Sequence, residues 1–275
     1  MRMHGDVSRL ARMSRPRQVL FIVMLAGSIW PVWWWFLMRT TEPSGDPWGW
    51  LALGTAALLV LHNRSAPVAD TYRLGIPTAL LVAYAFTYPF LPPLLRAGIG
   101  MTAVAALLSS LLLDKRMDVA LWGLLLLALP VIASFNFYLG YPLRVAVGTA
   151  SAFLLQMNGF GVVREGVLLN WSGHVVAVDA PCSGVKMLWA GLYLSFALAA
   201  LYRFGNARTS LLALLSLIVI IAANILRATA LFFVETGIVP LPPMWHEGIG
   251  LIAFAAGAIT LTYAARKLRE THHAA

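Results

Sequence analysis

Long apolar runs recur from one end of the chain to the other, at about residues 19–38, 47–62, 74–94, 97–113, 118–138, 184–202, 210–236 and 248–265. Most approach the ~20 residues that a helix needs to cross a hydrocarbon layer. Repetition on that scale leaves few folds open, because backbone in lipid must satisfy its own hydrogen bonds and a helix does so within one segment. Composition agrees: 60% of the 275 residues are hydrophobic and 11% are charged. The sequence therefore predicts an all-α polytopic membrane protein of about eight transmembrane helices, forming a single integral membrane domain over residues 1–275. A soluble domain needs far more polar surface, so the net charge of +9 is read as membrane topology and membrane lipid contact, with no nucleic-acid partner.

Residues 1–18 carry Arg2, Arg9, Arg12, Arg15 and Arg17 ahead of an apolar run that shows no small-residue cleavage site before Trp33-Trp34-Trp35. This predicts an uncleaved first span and a basic cytoplasmic N-terminus. With that end inside, these five arginines join Arg64, Arg73, Lys115, Arg116, Arg203, Arg208, Arg266, Lys267 and Arg269 on the inner side, fourteen of 20 basic residues. Residues 266–275 are then a cytoplasmic tail. The stretch Leu143 to Met157 is apolar but only about 22 Å long as a helix, and letting it span would reverse the charge bias of the last third of the chain. It is expected to be re-entrant or to lie in the interface. Residues 159–181, the part rich in β-branched residues and turn formers, are expected to form a short extracytoplasmic β-hairpin before the Cys-bearing helix.

Three chemically costly groups then fall on the outer side. Cys182, the only cysteine, sits in Asp179-Ala180-Pro181-Cys182-Ser183-Gly184, where the hairpin gives way to a helix expected to open at about Ser183. It makes no internal disulfide, and it is either a small buried hydrophobe or a nucleophile. Backbone donors of the first helical turn are expected to favour its thiolate. Arg227 lies about 12 Å along the seventh run from Glu235, where an unpartnered charge costs at least ~2.5 kcal/mol. It either faces an interior cavity or snorkels outward and pairs with Glu235. Asn224, three residues earlier, shares its helical face and is placed to orient the guanidinium. His246 follows the proline-rich segment Pro240-Leu241-Pro242-Pro243 and opens the last run, at a helix N-terminus whose dipole favours neutral imidazole.

Thiol, imidazole and guanidinium together suit acyl transfer, with Cys182 as nucleophile, His246 carrying protons and Arg227 stabilising the oxyanion or holding substrate. Asp179 and Glu247 are the candidates for a carboxylate behind the histidine, and Asp179 equally well caps the helix that follows it. No metal or cofactor is expected: His174 stands alone, His272 and His273 lie in the tail, and neither a cysteine pair nor a phosphate-binding glycine loop is present. Two rival readings use the same residues. In one, a transporter or assembly scaffold lines a polar path with Arg227 and Asn224. In the other, the thiol serves a lipid or polysaccharide acyltransferase.

Pro142-Leu143-Arg144, Gly166, Ala180-Pro181-Cys182-Ser183-Gly184-Val185, Asn224-Ile225-Leu226-Arg227 and His246-Glu247-Gly248 occur in an order and spacing that resembles the exosortase/archaeosortase family of polytopic transpeptidases, over roughly residues 75 to 265. The resemblance implies a cysteine peptidase or transpeptidase of the bacterial inner membrane, multi-pass with both termini cytoplasmic and its active site on the periplasmic face. It implies exported protein substrates that carry a C-terminal sorting tag, made of a short motif, a transmembrane helix and a basic cluster. It also implies catalytic roles for Cys182, Arg227 and His246, a thioester on Cys182 that is passed to an acceptor, and substrate contact by Arg144. Pro181 stands where many members carry a small residue.

Overall fold

Proline and glycine decide where the apolar runs become helices and where they stop. The computed structural model describes residues 23–24, 27–41, 47–63, 74–242 and 244–273. The basic segment 1–18 and the loop bearing Arg64 and Arg73 lie outside the described residues. The chain is mostly helical, at 78%, with nine α-helices and a small three-stranded sheet among the described residues. In order they are α1 (Trp30–Thr41), α2 (Trp48–His62), α3 (Gly75–Thr87), α4 (Pro93–Leu112), α5 (Val119–Ala128), α6 (Val131–Met157), β1 (Val163–Glu165), β2 (Leu168–Trp171), β3 (His174–Ala177), α7 (Val185–Leu201), α8 (Asn206–Glu235) and α9 (Trp245–His273), with a 3-10 turn at Ala180–Ser183 before α7.

Among the described residues three helices are long and apolar enough to cross a membrane: Pro93–Leu112, Asn206–Glu235 and Trp245–Glu270. Counting the broken pair α5 and α6 as one span makes four. Among the described residues, helices of spanning length do not reach the expected count of about eight, and residues 19–22 and 25–26 of the first expected span lie outside them. The runs at 47–62, 74–94 and 184–202 give helices of 15, 13 and 17 residues. Pro89 and Pro92 follow closely on α3, which ends at Thr87, and at 1.5 Å per residue that helix is only about 20 Å long.

The region around Pro130 also differs from expectation. Leu129 precedes the proline and is held extended, at φ −63° and ψ 152°, because the pyrrolidine ring disfavours the helical conformation in the residue before it. The run 118–138 is therefore broken. Its second half continues without interruption through Leu143 to Met157 as the 27-residue α6, with Pro142 inside. Residues 143–157 are the second half of that helix and not an element of their own.

The chain divides into two compact units, residues 1–131 with 203–206 and residues 132–202 with 207–275. In the first, α4 is buried along much of its length, and Gly100 packs against Ile29, Val32 and Tyr84. Asp118 caps α5 by accepting from the Leu121 amide at 2.9 Å, and also pairs with Lys115 Nζ at 2.7 Å.

In the second unit α8 is the spine. Gly191 of α7 lies so close to Ile220 that a Cβ there would collide with it, and Gly257 of α9 would place a Cβ 3.2 Å from Ile220 Cδ1 and 3.6 Å from Ala223 Cβ. Ser151 of α6 donates to the Ile225 carbonyl at 3.3 Å. Small residues at these crossings let the helices approach closely, the packing mode of helices in lipid.

The expected hairpin is a three-stranded antiparallel sheet, ordered β1-β2-β3. Two tight turns make it so, one through Gly166 at φ 63° and one through Ser172 and Gly173 at φ 47° and 84°. Consecutive positive φ values give the primed turn whose twist matches paired strands. Leu169 and Val176 are cross-strand partners, so they share a face, and both are buried with Val162, Ala152, Leu155 and Phe232. Phe160 and Trp171 meet Phe232 edge-on. This docks the sheet on the C-terminal end of α8 and fixes where the chain re-enters the helical bundle at Asp179.

Candidate active site

Cys182 is presented by the 3-10 turn, not by the first turn of a long helix. Its amide donates to the Asp179 carbonyl at 2.9 Å, and its carbonyl accepts from Asn224 Nδ2 at 3.0 Å. Gly184 closes the turn at φ 81°, ψ 0°, a conformation that L side chains seldom adopt. It also has no room for a side chain, since a Cβ would lie 2.7 Å from Asn224 Nδ2 and 2.9 Å from its Cγ. Turn and asparagine thus fit only when residue 184 is glycine. Asn224 donates its amide to the cysteine turn and so holds Cys182. Its Oδ1 is buried and has no hydrogen-bond partner among the described residues.

The sulfur packs with Val147, Val178, Ala228 and Leu231, and Cys182 is 5% exposed. Burial pushes its thiol pKa up, against the lowering effect of the Arg227 charge; the Asp179 and Glu235 carboxylates add to the rise. The expectation of a favoured thiolate is thereby corrected. The helix it relied on starts three residues later, at Val185, and desolvation outweighs what backbone donors supply. A thiol in this setting needs a base.

That base is in reach. His246 is the second residue of α9, and its Nε2 lies 4.0 Å from Cys182 Sγ. On the other side of the ring, Nδ1 is 3.5 Å from Glu235 Oε1. Glu247 is exposed and lies on a different face of the helix, as adjacent residues do. Asp179 starts the 3-10 turn but makes no side-chain cap bond. The carboxylate behind the imidazole is therefore Glu235, which sequence reasoning weighed only as a partner for Arg227. A signal was available: α8 and α9 are consecutive and joined by a short segment, so the last residue of one and the first of the next fall side by side.

Arg227 stands about two turns before Glu235 on α8. Its guanidinium lies over Gly250 of α9, where a Cβ would come 3.0 Å from Nε and 3.3 Å from Cζ. Its charge reaches the Cys182 sulfur. The structure thus brings Cys182, His246, Arg227, Asn224 and Asp179 together in the second unit. Arg144 makes its contacts on its own helix. Its Nε donates to Gly140 on its own helix at 3.4 Å and its guanidinium lies 5.8 Å from the Tyr141 ring, while Val147, one turn on, packs in the cluster that holds the cysteine. No group of three or more metal-ligating side chains occurs among the described residues.

Chemically, the arrangement offers a buried thiol, an imidazole nitrogen near enough to take its proton, and a cation that favours negative charge beside the sulfur. Neither the curated proteins nor the solved structures contain a match to this chain. The transmembrane exosortase family model matches residues 12–263, nearly the whole chain and every residue of the site, and the protein belongs to that family of membrane proteins.

Proposed function

We propose that the protein is a membrane-embedded cysteine transpeptidase or endopeptidase that cleaves the C-terminal sorting tags of exported proteins through a thioester on Cys182. The observation that carries this reading is the 4.0 Å approach of His246 Nε2 to the cysteine sulfur beside Arg227. In the first step Nε2 takes the thiol proton and the sulfur attacks the scissile carbonyl, whose π electrons move to oxygen. The Arg227 guanidinium stabilises that oxyanion. Collapse expels the amine of the tag, which receives the proton from the His246 imidazolium, and the upstream protein remains as a thioester. An acceptor nucleophile then gives its proton to His246, attacks the thioester and restores the thiol.

The reaction is assigned to the periplasmic face of a bacterial inner membrane, with N- and C-termini cytoplasmic. Membership in the exosortase family and the basic residues of the inner segments support this. Substrate enters as a tagged helix held in lipid, which favours a nucleophile at the end of a helical bundle, as Cys182 is in the turn just ahead of α7. The three-stranded sheet, packed on the end of α8, borders the site and limits water, the condition under which transfer outruns hydrolysis.

The test is to co-express the protein with an exported substrate bearing such a tag and to follow processing by gel shift. Cys182→Ala, Arg227→Ala and His246→Ala are each expected to leave the tag uncleaved. Processing at the normal rate by Cys182→Ala overturns covalent catalysis. Loss with Arg227→Ala alone favours a transporter or scaffold.

A further inference from the structure

We propose that Glu235 is the positioning residue of this site, holding His246 by Nδ1 so that Nε2 faces the Cys182 sulfur. The inference rests on the reading of Cys182 as nucleophile and His246 as proton carrier, and it assigns the carboxylate that the site otherwise lacks. Neutral imidazole has one N–H and one lone pair. Only the tautomer protonated at Nδ1 leaves Nε2 free to accept from a thiol, and a carboxylate at Nδ1 selects that tautomer. Glu235 Oε1 is 3.5 Å from Nδ1 and Cys182 Sγ is 4.0 Å from Nε2, so the imidazole lies between carboxylate and thiol. The first distance exceeds a formed N–H···O bond of about 2.7–3.2 Å, as catalytic contacts in free enzymes commonly do. When the thiol proton passes to Nε2 the ring becomes a cation between thiolate and carboxylate.

Two opposite effects of Glu235 on the thiol make the proposal testable. Acting through His246, its charge stabilises the imidazolium and with it the thiolate. Acting directly, its negative charge opposes the thiolate. Arg227 on α8 and Asp179 ahead of the turn also face the sulfur, and both are unchanged in the comparison.

The experiment is iodoacetamide alkylation of the single cysteine in the full-length protein in detergent, with rates taken from about pH 6 to about pH 11 to span imidazole ionisation and a thiol raised above its ordinary value. Glu235→Gln is isosteric and is expected to slow alkylation near neutral pH by about tenfold, the effect of about one pKa unit on the thiolate pair. In a His246→Ala background the same change is expected to speed alkylation, since only the direct repulsion remains. Faster or unchanged alkylation in both backgrounds overturns the proposal and leaves Glu235 a bystander charge. Glu235→Asp retains the charge and covers the case of an unfolded amide variant. It is expected to keep more than about a third of the wild-type rate, by the same pKa scale, and a loss as deep as that of the amide overturns the proposal. Alkylation needs no tagged substrate, so failure here leaves the peptidase reading standing, and failed tag processing leaves the alkylation result intact.

Discussion

Replacing Gly184 by alanine tests how the nucleophile is held. The residue sits at φ 81°, and an L side chain in the left-handed region costs about 1–2 kcal/mol. The new Cβ would also lie 2.7 Å from Asn224 Nδ2 and 2.9 Å from Cγ, and Asn224 is 2% exposed, so the amide has nowhere to swing. Relief comes only by breaking its bond to the Cys182 carbonyl, worth about 1 kcal/mol. Together these give about 2–3 kcal/mol, of which the steric part belongs to the pair. Thermal unfolding of Gly184→Ala, Asn224→Ala and the double variant in detergent forms a double-mutant cycle. Asn224→Ala frees the space, so the double variant is expected to be more stable than the sum of the single losses by about 1 kcal/mol. Strict additivity, or a Gly184→Ala protein that melts like wild type, refutes the claim that glycine and asparagine jointly set the cysteine turn.

Four further outcomes are expected. Gly250→Val displaces the Arg227 guanidinium, whose Nε would lie 3.0 Å from a Cβ at that position; tag processing should fall by about 10²-fold or more, the scale for losing one oxyanion donor, while an unaffected rate counts against Arg227 acting there. Phe232→Ala empties a fully buried position beneath the sheet and should cost about 3–5 kcal/mol, read as a lower melting temperature and faster proteolysis within residues 163–177. Because burial raises the Cys182 thiol above its ordinary value of 9.0, folded protein binds that proton more tightly than unfolded chain. The stability this contributes is complete below that value and is lost as pH rises through the folded pKa. Melting temperatures measured upward from pH 9.0 should therefore fall more steeply for wild type than for Cys182→Ala, and parallel curves contradict the account of burial. An impermeant thiol reagent applied to membrane vesicles of known sidedness should label Cys182 from the periplasmic side; labelling from the cytoplasmic side alone reverses the proposed topology.

Much of the site was legible because its chemistry is expensive. A lone cysteine between a polar stretch and an apolar run, an arginine deep in another run and a histidine at the mouth of a third are each conspicuous against a chain with 11% charged residues. Helix type was equally plain from apolar length. Breaks were not, since a single Pro130 divided one expected span and joined its remainder to the next segment, and hydropathy averaged over a window passes across such a point. The second turn of the sheet was hidden in Ser172-Gly173, where adjacent positive φ values turned an expected hairpin into three strands. Glu235 escaped because its role depends on which way α9 returns along α8, a tertiary fact that the pairing of Gly250 with Arg227 and Gly257 with Ala223 reveals. The rise of the thiol pKa is not legible in the sequence for a related reason: a helix dipole acts locally, whereas desolvation comes from Val147, Val178, Ala228 and Leu231 on other segments.

Acid quenching of the full-length protein during turnover of a tagged substrate, followed by mass spectrometry of the peptide containing Cys182, addresses the proposed chemistry at its decisive step. Trapped enzyme is expected to carry the upstream substrate fragment on that peptide, as an adduct that hydroxylamine removes and that His246→Ala does not accumulate. Tag cleavage at full rate with Cys182 never modified would show that the sulfur is not the nucleophile.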